Sequence, residues 1–345
     1  MGPGSGGRKR DQRRQVAALL ENWGLRPDRL VPVKTVWRVT ATGGTYCLKP
    51  VDRATAKVRF IAAAMEHVRR RGLARMAAWI PTVRGEPYLT VREDLHFMLT
   101  GWIAGVEPHY RDAVQLESIA QTLAEFHLAS RGFRPPKEDH GRNRLGRWPD
   151  RLASRLQELL LYRREAEHRS APSAFDRLFL EHANWICDRA SRSCQALAGS
   201  AYGRLVKEAA GVNPLCHGDV ATRNFVFTAA EESYLIDFDF ISIDLPITDV
   251  WRLLRRTLRH EWEIESARLI LRAYSSVSPL QPDELRVLAA LLTFPDQAWA
   301  SIHNHYGRPP GKKDSDSDRF DKLRQALSHI REMDAFMGVF EEAFR

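Results

Sequence analysis

Long apolar stretches are missing from this chain: no run approaches the roughly 20 residues that a membrane-spanning helix needs. The first residues, Met1 to Arg14, are rich in glycine and then basic. They lack the apolar segment and the small-residue cleavage site of a secretory signal. We therefore expect no membrane helix, synthesis in the cytoplasm, and a flexible basic tail over residues 1–12.

Cysteine is scarce, and the cysteines present show neither the spacing of metal ligands nor that of a disulfide framework. They are Cys47, Cys187, Cys194 and Cys216. Acidic residues are fewer than basic ones, 43 against 52, which gives a net charge of +9. This charge suits an anionic ligand such as a nucleotide. The arginines form no recognisable nucleic-acid-binding motif, so no specific nucleic-acid partner is expected.

Two short segments carry most of the chemical information. The first reads Cys-His-Gly-Asp-Val-Ala-Thr-Arg-Asn at residues 216–224, and the second reads Tyr-Leu-Ile-Asp-Phe-Asp at 234–239. Asp219, Asn224 and Asp237 have the spacing with which kinase-type loops assemble a proton acceptor and two metal ligands. Asn224 and Asp237 would offer oxygen ligands to a hard divalent cation, and Asp219 would face the acceptor hydroxyl.

The stretch between these residues has the pattern of a strand, a turn and a second strand. Apolar runs at 224–228 and 234–236 flank a polar turn at 229–233. A hairpin of this length returns the chain to its starting point, so Asn224 and Asp237 are expected to share a cation. The alternative is that Asp219 caps a helix or turn and Asp237 ends a strand by chance.

The first third of the chain predicts a small antiparallel sheet of about five strands with one helix. Lys49 ends one strand, a position from which a cation can reach nucleotide phosphates. Glu66 lies in an amphipathic helix over 56–71 and is either a partner for Lys49 or a solvated surface residue. Thr100 ends the last strand, and Trp102 follows in a segment that predicts a hinge against an adenine edge, although Trp102 could equally fill the core.

The pattern beyond this point is helical. The predicted helices include 113–130, 152–167, 174–197, 202–209, 248–260, 263–277, 282–299 and 320–344. Asp249 stands just before or at the start of one of them, where it either caps the helix or supports the 216–224 loop.

Together these features resemble the aminoglycoside phosphotransferase and choline kinase superfamily, and within it the CotS family of bacterial spore-coat kinase-like proteins. The resemblance covers nearly the whole chain after the tail. It rests on Leu48-Lys49, Glu66-His67-Val68, Trp102-Ile103-Ala104-Gly105, His127-Leu128-Ala129-Ser130, Gly132-Phe133, Cys216-His217-Gly218-Asp219, Ile236-Asp237-Phe238-Asp239, Asp244 to Asp249, Phe294-Pro295 and Trp299.

The resemblance implies an α+β, protein-kinase-like fold with two lobes. The small antiparallel-sheet lobe, at 13–100, would clamp the nucleotide, and a hinge would follow at 101–108. The mainly helical lobe, at 109–345, would hold the catalytic loop 216–224 and the metal-binding segment 235–239.

The resemblance also implies a role for each site residue, with ATP and Mg²⁺ as cofactors. Lys49 would bind the α and β phosphates and Glu66 would orient Lys49. Thr100 and Trp102 would also contact the nucleotide. Asp219 would act as the base, with His217 among the catalytic residues and Asp249 supporting the loop. Asn224 and Asp237 would bind the metal.

The chain departs from the family pattern at the phosphate-binding turn and beside Asn224. No GxGxxG stands between the first strands, only Val-Lys-Thr-Val at 33–36. Arg223 takes a position where relatives commonly have glycine, and Ala221 the position where protein kinases carry a phosphate-stabilising Lys. Arg223 could supply that missing charge or lie on the surface.

Two functions are consistent with the sequence. The first is an ATP- and Mg²⁺-dependent phosphotransferase that acts on a hydroxyl of a small molecule or of a spore-coat component. The alternative is a structural or assembly protein of the spore coat that binds nucleotide without turnover. The family resemblance implies a location in the spore coat after synthesis in the cytoplasm, with spore-coat proteins as partners.

Overall fold

The computed structural model describes residues 5–137, 142–259, 262–307 and 315–343. Residues 1–4 of the predicted tail lie outside the described residues. The first helix is α1 (Ser5–Leu20). This helix overlaps the tail predicted over residues 1–12, whose flexibility stays a prediction. Residues 8–15 are mainly arginine, lysine and glutamine, all good helix formers.

The chain divides into two compact units. The sheet unit consists of Met1–Asn143 and His217–Ser242, and the helical unit consists of Arg144–Cys216 and Ile243–Arg345. The α+β class with two parts is confirmed. The predicted lobe boundaries, at residues 100 and 108, were placed by the expected kinase-like lobes and not by compactness, and they stay a prediction.

The sheet unit contains six strands in one antiparallel sheet, rather than about five. The strands are β1 (Pro27–Val33), β2 (Val36–Ala41), β3 (Gly44–Asp52), β4 (Trp79–Ile80), β5 (Leu89–Arg92) and β6 (Leu95–Gly101). Their order is β1-β2-β3-β6-β4, and β5 also pairs with β6. One short β-hairpin, β8 (Phe225–Phe227) and β9 (Ser233–Leu235), belongs to the same unit.

The alternation of side chains between the two faces of β3 determines on which face Lys49 lies. Leu48 is 0% exposed and packs in a core with Val39, Leu99 and Leu20 of α1. Because successive strand residues face opposite sides of a sheet, Lys49 projects from the other face.

The same unit holds α2 (Thr55–Arg70) and α3 (Ala113–Ser130), which pack on each other. The buried side chains of α2 include Phe60, Ile61 and Val68. The predicted bounds of α3 are confirmed, and those of α2 differ by one residue at each end.

Most elements of the helical unit are helices. They are α4 (Trp148–Glu167), α5 (Ala174–Ala198), α6 (Tyr202–Ala210), α7 (Ile247–Thr257), α8 (Ile264–Val277), α9 (Pro282–Thr293), α10 (Asp296–Tyr306), α11 (Asp316–Leu327) and α12 (Ile330–Ala343). Two short strands, β7 (Leu215–Cys216) and β10 (Ser242–Ile243), lie at the junctions of the two units along the chain. Among the described residues, no helix is both long and apolar enough to cross a membrane.

Two of the predicted helices each correspond to two helices in the structure. The predicted helix over 282–299 is split into α9 and α10, because Pro295 disfavours helical geometry at Phe294, which has φ −65° and ψ 131°. The predicted helix over 320–344 is α11 and α12. The first of these starts earlier, at a capping box in which the Ser315 hydroxyl accepts from the Asp318 amide.

Candidate active site

The loop that begins at His217 is anchored by a buried imidazole. His217 is 0% exposed, and its Nε2 lies 3.0 Å from the Ile236 carbonyl oxygen. Its ring packs edge-on against Phe238, with centroids 5.3 Å apart. His217 thus joins the loop to the segment before Asp237, and its predicted place among the catalytic residues stays a prediction.

Gly218 lets the loop turn where another residue would clash. Its φ is +83°, and a Cβ atom at this position would lie 2.4 Å from the Phe240 carbonyl oxygen. Both the left-handed conformation and the close approach favour glycine. The chain is thereby directed so that Asp219 follows with a side chain that is 13% exposed.

The Asp219 carboxylate is fixed by two neighbours on its own loop. The Asn224 amide nitrogen donates to the Asp219 carbonyl oxygen at 2.8 Å and to Asp219 Oδ2 at 3.0 Å. The Arg223 guanidinium donates to the same Oδ2 at 2.5 Å. Since the Asn224 nitrogen is used in these bonds, the amide oxygen is the atom left to serve as a ligand.

The β8–β9 hairpin brings Asn224 and Asp237 together as the sequence predicts. Phe225 pairs with Leu235, and the Ile236 amide donates to the Asn224 carbonyl oxygen at 2.9 Å. Asp237 follows directly, with the positive φ of 65° that is uncommon for a residue other than glycine. Such strain is found most often at functional sites.

Lys49 completes the cluster from the sheet. Its Nζ lies 2.5 Å from Asp237 Oδ1 and 2.7 Å from Asp239 Oδ1. Burial acts to lower the pKa of Lys49, but the two carboxylates outweigh it and the pKa lies above its ordinary value. Burial acts to raise the pKa of Asp237, but the Lys49 ammonium more than reverses this effect. The pKa of Asp237 therefore lies below its ordinary value.

Glu66 does not contact Lys49 in the part of the chain that the structure describes. Its carboxylate accepts hydrogen bonds from Arg69 at 2.8 Å and from Arg70 at 2.6 Å. These arginines stand three and four residues further along α2, so they share the face of Glu66. The hydrogen bond from Arg69 is the main reason why the pKa of Glu66 falls to about 2. The predicted Lys49–Glu66 pair is therefore wrong.

The segment from Thr100 to Gly105 connects the sheet to the hairpin. The Trp102 amide donates to the Thr45 carbonyl oxygen at 2.9 Å, and the Arg38 guanidinium lies 5.0 Å from the Trp102 ring centroid. A Cβ on Gly105 would lie 2.3 Å from the Phe227 carbonyl oxygen, so the backbone passes directly over β8. A nucleotide-binding role for Thr100 and Trp102 stays a prediction.

Asp249 belongs to the helical unit. It is 0% exposed in the first turn of α7, where the Arg252 guanidinium donates to it at 3.1 Å. Its predicted support of the catalytic loop stays a prediction.

Sequence reasoning missed two contacts of the site. Asp239 is a second partner of Lys49, and the Arg142 guanidinium donates to the Asp239 carbonyl oxygen at 3.0 Å. Arg223, for which the sequence left two roles open, lies directly on Asp219. The signal for Asp239 was present in the Asp-Phe-Asp run at 237–239, whereas nothing in the sequence pointed to Arg142.

The oxygen donors of this cluster fit a hard divalent cation. Asp237 and Asp239 already converge on one positive charge, the Lys49 ammonium, which shows that their carboxylates point to a common place. Carboxylate and amide oxygens are the ligands that Mg²⁺ accepts in nucleotide-binding enzymes. Asp237 and Asn224, with Asp239 beside them, are thus the residues that would hold the metal.

The fold and this site define the class of the protein: it has the fold of the aminoglycoside phosphotransferases. An aminoglycoside phosphotransferase from Alicyclobacillus acidocaldarius subsp. acidocaldarius DSM 446 matches with a TM-score of 0.85 and 22% identity over 95% of both chains. Spectinomycin phosphotransferase APH(9)-Ia, solved with ADP and spectinomycin, matches with a TM-score of 0.64 and 11% identity over 95% of this chain and 98% of that chain.

The chain belongs to the family described as "Spore coat putative kinase YutH", whose pattern matches residues 16–340. It is also 27% identical over 323 residues to spore coat protein S of Bacillus subtilis (strain 168), which covers 90% of this chain and 88% of that protein. The spore-coat kinase-like family predicted from the sequence is confirmed, and the solved structures show the predicted kinase-like fold.

Proposed function

We propose that this chain is a Mg²⁺-dependent phosphotransferase that moves the γ-phosphoryl group of ATP to a hydroxyl group of an acceptor. The observation that carries the proposal is the meeting of Lys49 with Asp237 and Asp239, beside a loop in which Asn224 holds Asp219. ADP in the spectinomycin phosphotransferase of the same fold supports a nucleotide donor, and the family description supports a kinase.

The residues divide the work between the phosphates and the acceptor. Bound Mg²⁺ would neutralise phosphate charge and hold the triphosphate in line. The Lys49 ammonium, kept charged by its carboxylate partners, would bind phosphate oxygens. Asn224 and Asp237 would hold the metal, and Asp219 would accept the acceptor's proton.

The transfer balances without a further reactant. As the acceptor oxygen forms its bond to the γ-phosphorus, its proton passes to Asp219. The bond between the γ-phosphorus and the β–γ bridging oxygen breaks, and ADP leaves with the electron pair. Asp219 then returns the proton to solvent.

The experiment that tests the proposal compares the wild-type chain with Asp219→Asn. ADP release and γ-phosphate transfer are measured with Mg-ATP and either a set of hydroxyl compounds or a sporulation extract as the source of the acceptor. We expect loss of transfer with Mg-ATP binding retained, because the base is not a phosphate ligand. Asp52→Asn, at the exposed end of β3, is the matched control. Transfer retained in Asp219→Asn contradicts the mechanism.

A second candidate function is a coat-assembly role that uses the fold without turnover. The observation in its favour is the name of the relative, spore coat protein S. The family description and the name of this relative support a location in the spore coat for either function, with coat proteins as neighbours. Mg-ATP binding without ADP release in any acceptor mixture favours the assembly role, and ADP release that depends on Asp219 favours the enzyme.

A further inference from the structure

Arg223 pairs with the carboxylate of Asp219, the proposed proton acceptor. Its Nη2 donates to Asp219 Oδ2 at 2.5 Å, and its side chain is 53% exposed while that of Asp219 is 13% exposed. The described residues accept no other hydrogen bond from this guanidinium, which has five N–H groups. Most of its donors therefore face the solvent beside the proposed base.

A second carboxylate beside this loop, that of Glu107, is also paired with a cation of the chain. Glu107 Oε1 accepts a hydrogen bond from the Thr222 hydroxyl at 2.7 Å, which fixes it beside the turn that contains Arg223. The Lys34 ammonium lies 3.6 Å from Glu107 Oε2. Lys34 stands in the turn between β1 and β2 with the positive φ of 51°.

These two ion pairs determine what charge an acceptor can carry. An ammonium group on the acceptor would seek a carboxylate near the reacting hydroxyl, yet Arg223 already pairs with Asp219 and Lys34 with Glu107. A cationic acceptor would meet a guanidinium instead, and like charges placed together discriminate against a partner. An oxyanion would meet the free donors of Arg223 in the planar arrangement that binds carboxylate and phosphate.

We propose that the acceptor carries an oxyanion, a carboxylate or a phosphate, close to the hydroxyl that is phosphorylated, and that Arg223 selects it. This inference rests on the proposed phosphotransferase function. Arg223 acts as a specificity-determining residue, and the Lys34–Glu107 pair removes the competing carboxylate. The positive net charge of +9 acts in the same direction over a longer range.

The test uses small acceptors that differ in charge. The full-length chain with Mg-ATP is given 3-hydroxypropionate, its cationic counterpart 3-aminopropan-1-ol, the neutral 1,3-propanediol, and glycerol 3-phosphate. ADP release and phosphorus NMR of the product are the readouts. We expect the anionic compounds to be used at least about tenfold better than the amine. The comparison of 3-hydroxypropionate with glycerol 3-phosphate distinguishes a carboxylate from a phosphate.

Variants separate the role of Arg223 from general charge effects. Arg223→Glu is expected to reverse the preference between 3-hydroxypropionate and 3-aminopropan-1-ol, and Arg223→Lys to keep its direction. Lys34→Ala frees Glu107 and is expected to raise the use of the amine. Arg29→Glu, the same charge reversal at an exposed position of β1, should leave the ratio unchanged. Thermal unfolding of each variant confirms its fold.

Each remaining outcome is decisive. Equal or better use of the amine by the wild-type chain overturns the inference, as does a ratio that Arg223→Glu leaves unchanged. Mg-ATP binding without use of any anionic acceptor overturns the inference and leaves nucleotide binding standing. Absence of Mg-ATP binding overturns the proposed function itself, and the inference with it.

Discussion

Lys49 and Asp237 are 188 positions apart in the sequence, yet the Lys49 ammonium lies 2.5 Å from the Asp237 carboxylate. One residue projects from β3 of the sheet and the other follows the β8–β9 hairpin. This contact joins the two halves of the proposed site within a single compact unit.

The first prediction concerns the stability of this cluster. Lys49→Met removes the partner of two carboxylates and is expected to lower the free energy of unfolding at pH 7 by about 1 to 2 kcal/mol, since the groups are only partly buried. The pKa of Asp237 lies below its ordinary value, so the contribution is present above pH of about 4 and is lost as pH falls through the folded-state pKa. Urea unfolding at several pH values measures it.

The matched control for this prediction is Lys57→Met, at an exposed position of α2. It should change the unfolding free energy little at any pH. If the difference in unfolding free energy between wild type and Lys49→Met stays constant down to pH 2, charge attraction is not the origin of that difference.

A second prediction follows from the position of Glu66. Its carboxylate is held by Arg69 and Arg70 and not by Lys49, so Glu66→Gln should leave the Mg-ATP dissociation constant within about twofold. The stability cost should stay below about 0.5 kcal/mol, because the ion pairs are exposed. Calorimetric titration of Mg-ATP provides the check, and a tenfold loss of affinity would restore the role that the sequence suggested.

Gly218 gives a third prediction. Gly218→Ala places a methyl group 2.4 Å from the Phe240 carbonyl oxygen at a φ of +83°. We expect it to cost about 1 to 3 kcal/mol of unfolding free energy and to abolish transfer, because the loop must move and carries Asp219 with it. Denaturant unfolding and ADP release are the measurements.

The control is Gly338→Ala, in α12. A Cβ there meets nothing within 4 Å, and alanine is the better helix former, so the variant should gain about 0.5 to 1 kcal/mol. If both alanine variants behave alike, the strained turn at Gly218 does not set the position of the loop.

A fourth prediction concerns pH and the helical unit. Burial raises the pKa of Asp244 to about 6, against the opposing effects of Arg252 and of a hydrogen bond from the Trp148 indole. A carboxyl whose pKa is raised on folding contributes stability below its unfolded-state pKa and loses it as pH rises through the folded-state value. The free energy of unfolding should therefore fall by about 3 kcal/mol through this group between pH 4 and 7.

Asp244→Asn isolates this effect. The variant carries a fixed cost, because Trp148 and Leu245 donate to different oxygens of the carboxylate and an amide has only one oxygen that can accept. That cost does not vary with pH, so the difference between variant and wild type should change in favour of the variant as pH rises from 4 to 7. Parallel stability curves would show that Asp244 is ionised in the folded chain throughout.

The sequence was sufficient where the information is local. The spacing from Asp219 through Asn224 to Asp237 predicted the hairpin and the convergence of its ends, since a short strand-turn-strand pattern fixes its own geometry. Contacts between distant segments were harder to predict. The pairing of Lys49 with Asp239 depends on how the segment after β9 packs against β3, which no local pattern encodes.

Wrong predictions arose where a local competitor was overlooked. The resemblance implies that Glu66 orients Lys49, but Arg69 and Arg70 stand one helical turn away and reach Glu66 first. The helix over 282–299 was drawn through Pro295, which breaks it at Phe294. In both cases the decisive residues were visible in the sequence, and the periodicity of the apolar positions was given too much weight.

The most direct test of the central claim is thermal unfolding with and without Mg-ATP, for the wild-type chain and for Asp237→Asn. At a nucleotide concentration of about 100 times the dissociation constant, binding stabilises the wild type by about 2.7 kcal/mol. We predict this shift for the wild type and its loss in Asp237→Asn, while Asp52→Asn keeps it. No shift at millimolar Mg-ATP, or an equal shift in Asp237→Asn, would contradict the claim that the Lys49–Asp237 cluster is a nucleotide site.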